Sequence, residues 1–313
     1  MCYIPAPAMQ PRGEGRLLFD TRRGNKRTDP HMVSATSSER PPQTMVDWPP
    51  EPSKMALAWR DIAVGMSKSW LWMELAKQDI KVRYRGSMLG PLWVTISTVV
   101  MISSMGLLYA KLFHQDVNAY FPFLTLGLVT WTLLASMITE GCGVFTSTQG
   151  LIQTVPMPYS VHVYRMVYRN LLIFGHSFVI VPLVLIFFHI PLGWRALWAI
   201  PALLVLAING AWCAIFFGML SARFRDVPPI VASFVNVIFF VTPIMWPPSA
   251  LGVWANLGAL NPLFAGIDVV RAPILGQAVG VHSWTVLLLT TVAGCLGTFA
   301  VFGRFRSRIA FWV

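Results

Sequence analysis

VRYRGSMLGPLW, residues 82–93, changes character halfway. Arg83 and Arg85 flank Tyr84, and from Ser87 the chain carries no charge until Lys111. A helix needs about 20 consecutive apolar residues to cross a bilayer, and Pro91 to Ala110 supplies such a run. Basic residues beside an apolar span hold that end on the cytoplasmic side. Gly90-Pro91 marks the break where the chain turns into the bilayer, since Pro opens a helix readily and costs a hydrogen bond in a helix interior.

Upstream, residues 55–87 read as a helix lying in the membrane interface. Glu74, Lys77, Lys81 and Arg85 fall on one face, and Leu71, Leu75 and Val82 on another with Trp72 beside them. Asp79 and Arg83 interrupt the apolar side, and their i, i+4 spacing predicts that they pair with each other. Apolar side chains down and Lys and Arg toward anionic headgroups is the interfacial pattern. Residues 1–54 are rich in Pro, Ser and Arg and read as a disordered cytoplasmic tail, with Met32, Met45 and Met55 as alternative starts.

Downstream, residues 88–313 form the membrane domain. Further spans are predicted at Phe121–Gly143, Asn170–His189, Leu197–Leu220, Val227–Trp246 and Ser283–Gly303. Residues 249–276 are apolar too, but Asn261-Pro262 divides them into halves of about 12 residues, roughly 18 Å each, too short to cross. The expected architecture is an all-α polytopic membrane protein with six transmembrane helices. An N-terminal interfacial amphipathic helix precedes them, and a re-entrant half-helix pair lies before the last span. Irregular backbone at membrane depth must be sheltered or line a wet cavity, so the pair points to a transport path.

Composition agrees. Apolar residues make up 55% of the chain and charged residues 12%, against about 25% charged in soluble domains. The net charge of +11 does not indicate nucleic acid, because the Lys and Arg residues gather before Ser87 and at span ends rather than in an aromatic-interleaved soluble module. Lys77, Lys81, Arg83, Arg85, Arg165, Arg169, Arg223, Arg225, Arg304, Arg306 and Arg308 fall on one side, and Lys111, Arg195 and Arg271 on the other. Both termini are therefore expected in the cytoplasm. Cys2, Cys142, Cys213 and Cys295 lack metal-type spacing, and no metal site is expected.

Catalytic motifs are missing: there is no Walker A loop, no H-E-x-x-H and no G-x-S-x-G. Glu140 is the one acid inside a predicted span and is either a functional intramembrane acid or part of a cap or salt bridge. His176 reads as a satisfied core histidine. Two compact apolar-plus-basic loops lie on the cytoplasmic side, one around Leu151–Val155 with Arg165 and Arg169 following, the other SARFRDVPP at 221–229. Both suit docking of a partner. Asp268 and Arg271, three apart, are expected to pair and fix the second half-helix. Tyr120, Phe121, Phe123, Phe239, Phe240, Trp246 and Trp254 crowd the outer span ends, as an interfacial belt or as platforms for sugar rings.

Asp79-Ile80-Lys81-Val82-Arg83-Tyr84-Arg85-Gly86-Ser87-Met88-Leu89-Gly90-Pro91-Leu92-Trp93 resembles the approach to span one in ABC type-2 permeases that export lipid-linked polysaccharides such as O-antigen and teichoic acid. The likeness continues through Gly150-Leu151-Ile152, Val155-Pro156, Arg223-Phe224-Arg225-Asp226, Thr242-Pro243-Ile244, Asn261-Pro262-Leu263, Arg271 and the basic-aromatic ending at Arg308–Val313. It covers about residues 68–313. Ser160–Arg165 and Asp268–Gly276 look most like an actinobacterial branch that exports lipid-linked galactan. The tail 1–54 is a departure from the family, as is Ala310-Phe311 where Pro-Tyr is usual.

The resemblance implies a homodimeric permease in the bacterial plasma membrane, driven by a separate ABC ATPase that binds ATP and Mg; the chain itself would hold no cofactor. It implies that Leu151, Ile152, Gln153, Val155 and Pro156, with Arg223, Arg225 and Asp226, couple to that ATPase. Lys81, Arg83 and Arg85 would meet the pyrophosphate of the lipid-linked glycan, and spans one and five would line the channel. The re-entrant pair, with Asn261, Pro262, Asp268, Arg271, Phe239, Phe240 and Trp246, would match the outer gate. Two other functions stay open: a drug or small-lipid permease of the same type, and a membrane-embedded glycosyl- or phosphotransferase.

Overall fold

The computed structural model describes residues 53–90, 92–112, 114–246 and 260–313. Every element among them is helical. Helix α1, Lys54–Ser67, starts where the Ser53 side chain accepts the Ala56 N–H at 3.2 Å. It breaks at Lys68 and gives way to α2, Ser69–Arg83. The predicted interfacial segment is thus two helices rather than one. Gly86 and Gly90 then take φ of +81° and +56°, a left-handed conformation that side chains resist. They reverse the chain into α3, Leu92–Leu112.

Helix α4, Val117–Cys142, is the central column: two-thirds of its apolar window is buried (67%), against 17% for α3. It packs on α6, Tyr159–Phe178, and on α8, Ala199–Arg223. Along α8, Gly210, Ala214 and Gly218 recur every fourth residue. A Cβ on Gly210 would meet the Met137 sulfur at 2.5 Å, and one on Gly141 would meet the Ala214 backbone at 3.0 Å. Small residues in register let the two backbones close up, the usual means of association where lipid removes the hydrophobic drive between helices.

A short α5, Gln149–Thr154, precedes α6, and α7, Ile180–Phe187, continues it. The interruption at Val179 lies where Pro182 has no N–H for the Phe178 carbonyl. The remaining helices are α9, Val227–Val241; α10, Pro262–Ile274; α11, Val281–Phe305; and the four-residue α12, Ile309–Trp312.

Among the described residues, five stretches are long and apolar enough to cross a membrane: Leu92–Leu112, Val117–Cys142, Tyr159–Phe187, Trp194–Arg223 and Val281–Trp312. The predicted third span starts at Tyr159 rather than Asn170. The predicted fifth span, Val227–Trp246, is a helix only to Val241, 15 residues long. Thr242 turns extended, with ψ of 134°, because Pro243 disfavours helical backbone in the residue before it. Of the expected half-helix pair, the second half is α10. The first half and Trp254 lie largely outside the described residues, as does the tail 1–54.

Candidate functional site

The last turn of α2 carries Asp79 and Arg83, and it lies against the ends of two spans. Asp79 accepts from Arg165 Nε at 2.7 Å, from Arg165 Nη2 and from Arg169 Nη1 at 2.8 Å. Arg169 Nη2 reaches on to Glu140 at 2.7 Å, Asn170 Nδ2 donates to the same carboxylate at 2.9 Å, and Arg83 Nη2 takes its other oxygen at 2.9 Å. The expected Asp79–Arg83 pair does not form. Each finds a partner on a neighbouring helix instead, where a less solvated site makes the attraction stronger. Burial alone would raise the Asp79 pKa, but the Arg165 and Arg169 guanidiniums outweigh it and hold the carboxyl below its usual value.

The result is a ladder, Arg165–Asp79–Arg169–Glu140–Arg83, that joins α2, α4 and α6. Three guanidiniums face two carboxylates, which leaves one positive charge. It is sheltered at Arg165 and Arg169, whose side chains are 18% and 17% exposed, and opens to solvent at Arg83, 42% exposed. Beyond Arg83, Lys81 and Arg85 are exposed and form no ion pair among the described residues. Glu140 forms salt bridges with Arg83 and Arg169. His176 corrects the core reading: it is exposed on α6, with Nδ1 2.7 Å from the Leu172 carbonyl. Val82, on the expected membrane-facing side of α2, is 73% exposed.

A second centre lies at α5. Ile152 packs inward and lines, with Pro156, a cleft of about 460 Å³ beside α1 and Arg306. Leu151 is half-buried, and Val155 is exposed. Gln153 Nε2 donates to the Val313 carbonyl at 3.1 Å. Arg223 stacks over Trp312, 5.8 Å to the ring centroid, so both predicted docking loops meet the C-terminal residues. Arg225 and Asp226 are exposed at the turn between α8 and α9.

Asp61 is the residue the sequence reading missed. Its carboxylate is wholly buried and accepts the N–H groups of Tyr159 at 3.2 Å and Ser160 at 3.0 Å, while Arg306 pairs with it at 2.7 Å. The first N–H groups of a helix lack partners within it. Since Pro158 at the N-cap of α6 offers no side-chain acceptor, a cap from elsewhere in the chain was the available signal. Gly65, one turn on, lies so close to α6 that a Cβ would sit 2.0 Å from Ser160 Oγ.

At the other end of α4, about 25 Å from Glu140 for 17 helical residues, Arg271 is buried with its guanidinium 3.9 Å from the Phe123 ring centroid. It donates to the Pro243 carbonyl at 3.3 Å and lies 3.9 Å from Asp268. Asp268 accepts a shorter bond from Ser283, 2.6 Å, so the expected Asp268–Arg271 pair is loose and each group leans on other partners. Asn261 caps α10 through the Leu263 N–H and donates to Thr242 Oγ1, both at 2.9 Å, with Pro262 in the first turn. Phe239 packs on Trp131 and Phe240, and Trp246 donates to the Phe240 carbonyl at 3.4 Å.

The family model described as ABC-2 type transporter matches residues 71–275, which takes in the ladder, α5, the α8–α9 turn and α10. The chain belongs to the ABC-2 type transporter family. Similar proteins include an O-antigen export system permease protein RfbA of Klebsiella pneumoniae, 23% identical over 77% of this chain and 93% of the relative. An RfbA of the same description from Myxococcus xanthus is 26% identical over 62% of this chain and 75% of the relative. For an ABC-2 chain, the ladder places a net positive, partly solvated edge at the foot of two membrane spans.

Proposed function

We propose that this chain is the permease subunit of an ABC transporter that exports a lipid-linked polysaccharide across the bacterial plasma membrane. The observation that carries the reading is the basic end of α2. Arg83 is held at the foot of α4 and α6 by Glu140, and Lys81 and Arg85 stand beside it without carboxylate partners among the described residues. A pyrophosphate arriving at the headgroup level meets three cations there, and the guanidiniums suit bidentate binding of its oxygens. The likeness to two O-antigen export permeases over most of their lengths supports polysaccharide as cargo. A galactan is one such cargo.

In this reading α9 with the residues up to Trp246 is a sixth membrane segment, and α10 is the second limb of a re-entrant pair at the outer gate, with both termini cytoplasmic. The reading takes the transporter to be a homodimer, with α3 and α9 carrying apolar faces left for lipid or a second copy. Leu107, Leu108, Phe234 and Val237 are more than half exposed on them, and Val235 is the one buried side chain of α9 among the described residues. A separate ATPase docks on α5 and the α8–α9 turn, and the chain performs no chemistry on its cargo.

The test is affinity capture through a C-terminal tag, from detergent-solubilised membranes, of the wild type and of Ile152→Asp with Val155→Asp. Wild type is expected to bring down a nucleotide-binding subunit in equal amount, and the double variant to lose it. Capture of the wild type alone would overturn the reading and favour a membrane-embedded transferase.

A further inference from the structure

Helices α8 and α11 end alike, in Arg223-Phe224-Arg225 and Arg304-Phe305-Arg306. Between these ends opens a cleft of about 410 Å³. Its walls are apolar, Met219 and Leu220 on one side and Val301 and Phe305 on the other, and α12 lays Trp312 across it. Two cations stand among these walls, Arg223 and Arg308. Arg223 lies 5.8 Å from the Phe224 and Trp312 ring centroids, and Arg308 lies 5.7 Å from that of Phe305. Neither pairs with a carboxylate among the described residues, whereas Arg306 between them in sequence is taken by Asp61.

Stacking on aromatic rings orients a guanidinium without neutralising it. The two charges therefore remain available to an anion. The slot below them lies where two membrane-crossing stretches end, at the boundary between hydrocarbon and water. Water gains little in an apolar slot, and a lipid chain fills it at no polar cost. We propose that this cleft binds an anionic phospholipid, with its phosphate between Arg223 and Arg308 and one acyl chain in the slot. No carboxylate lines the cleft to receive the ammonium of a zwitterionic headgroup, which selects for net negative charge. The site is separate from the Arg83 edge, shares Arg223 with the α8–α9 docking turn, and requires only that the chain lies in a membrane. Trp312 lines the cleft and the next residue, Val313, accepts from Gln153 of α5, so the cleft adjoins the support of α5.

The test uses the full-length chain in detergent, with lipid retention read by native mass spectrometry. Phosphatidylglycerol and phosphatidylcholine of matched acyl chains are titrated against wild type, Arg223→Gln with Arg308→Gln, and the slot-filling Leu220→Trp. Wild type is expected to hold phosphatidylglycerol more tightly than phosphatidylcholine. The double Arg variant is expected to lose on the order of 10- to 30-fold in phosphatidylglycerol affinity, the size expected for two basic residues at an anionic lipid. Leu220→Trp is expected to weaken both lipids. Equal retention of the two lipids by wild type would overturn the proposal, even if a variant failed to fold. So would unchanged phosphatidylglycerol binding in a folded double Arg variant, or equal displacement by inorganic phosphate, which would mark an anion site without a chain slot. Failure here leaves the export reading standing, since capture of the ATPase tests that separately.

Discussion

Asp79→Asn removes the central carboxylate of the ladder and keeps its shape. Three hydrogen bonds to two guanidiniums are affected, and the new amide turns one acceptor into a donor facing donors. Asp79, Arg165 and Arg169 side chains are 17%, 18% and 17% exposed, so solvent screens the loss little. Removing one partner of a buried pair costs about 3–5 kcal/mol; the residual exposure favours the lower figure, about 3 kcal/mol. At about 2 °C per kcal/mol for a chain of this size, the midpoint of thermal unfolding in detergent should fall by roughly 6 °C.

Lys77→Ala is the control. The Lys77–Glu74 pair is 52% and 49% exposed at 3.6 Å, and its loss should cost no more than about 0.5 kcal/mol. The Asp79 deficit should also depend on pH. The folded carboxyl titrates below its ordinary value of 3.8. Its contribution is therefore fully present above that value and is lost as pH falls through the folded pKa. The gap between wild type and Asp79→Asn should be constant near neutrality and narrow in acid, as pH falls below 3.8 and through the folded pKa. A fall no larger than that of Lys77→Ala, or a gap that widens in acid, would refute the account of the ladder as a sheltered clamp.

Asp61→Ala strips two backbone N–H groups at the start of α6 and the Arg306 guanidinium of their acceptor. It is expected to cost on the order of 3–5 kcal/mol and to lower the yield of folded protein in detergent, read by size-exclusion chromatography. Arg83→Ala with Arg85→Ala is expected to weaken export of lipid-linked glycan while capture of the ATPase persists. The Arg83–Glu140 pair, 42% and 25% exposed, contributes about 1 kcal/mol or less, too little to unfold the chain. Loss of the ATPase as well would make these residues structural.

Five of the six predicted spans were legible because hydropathy alone announces them, and Gly90-Pro91 marked the break before α3. What stayed hidden follows from charge. The first three turns of α6 hold Arg165 and Arg169, so a hydropathy reading starts the span at Asn170. In the folded chain those charges are absorbed by Asp79 and Glu140, and the helix begins at Tyr159. The i, i+4 rule favoured Asp79–Arg83 because it sees one helix at a time. It cannot see that α2 lies on α6, where better partners wait. Asp61 was invisible for a related reason: its role is set by a helix start nearly a hundred residues later in the chain.

These hidden contacts share one element. Asp61 of α1 holds the first turn of α6, Asp79 of α2 holds the next two turns, and Glu140 of α4 closes the ladder through Arg169 and Asn170. Helix α6 is thus gripped from three sides at its starting end. Just ahead of it, Pro156 and Pro158 stiffen the link to α5, since each fixes its own φ. A push on α5 is therefore passed to α6 more directly than through an unconstrained loop. From α6 it reaches α1 and α2 through charged bonds, which resist shear better than apolar contacts because their geometry is directional. In the export reading, a motion of the ATPase at α5 would reach Arg83, where the cargo's pyrophosphate would be received, through the starting end of α6.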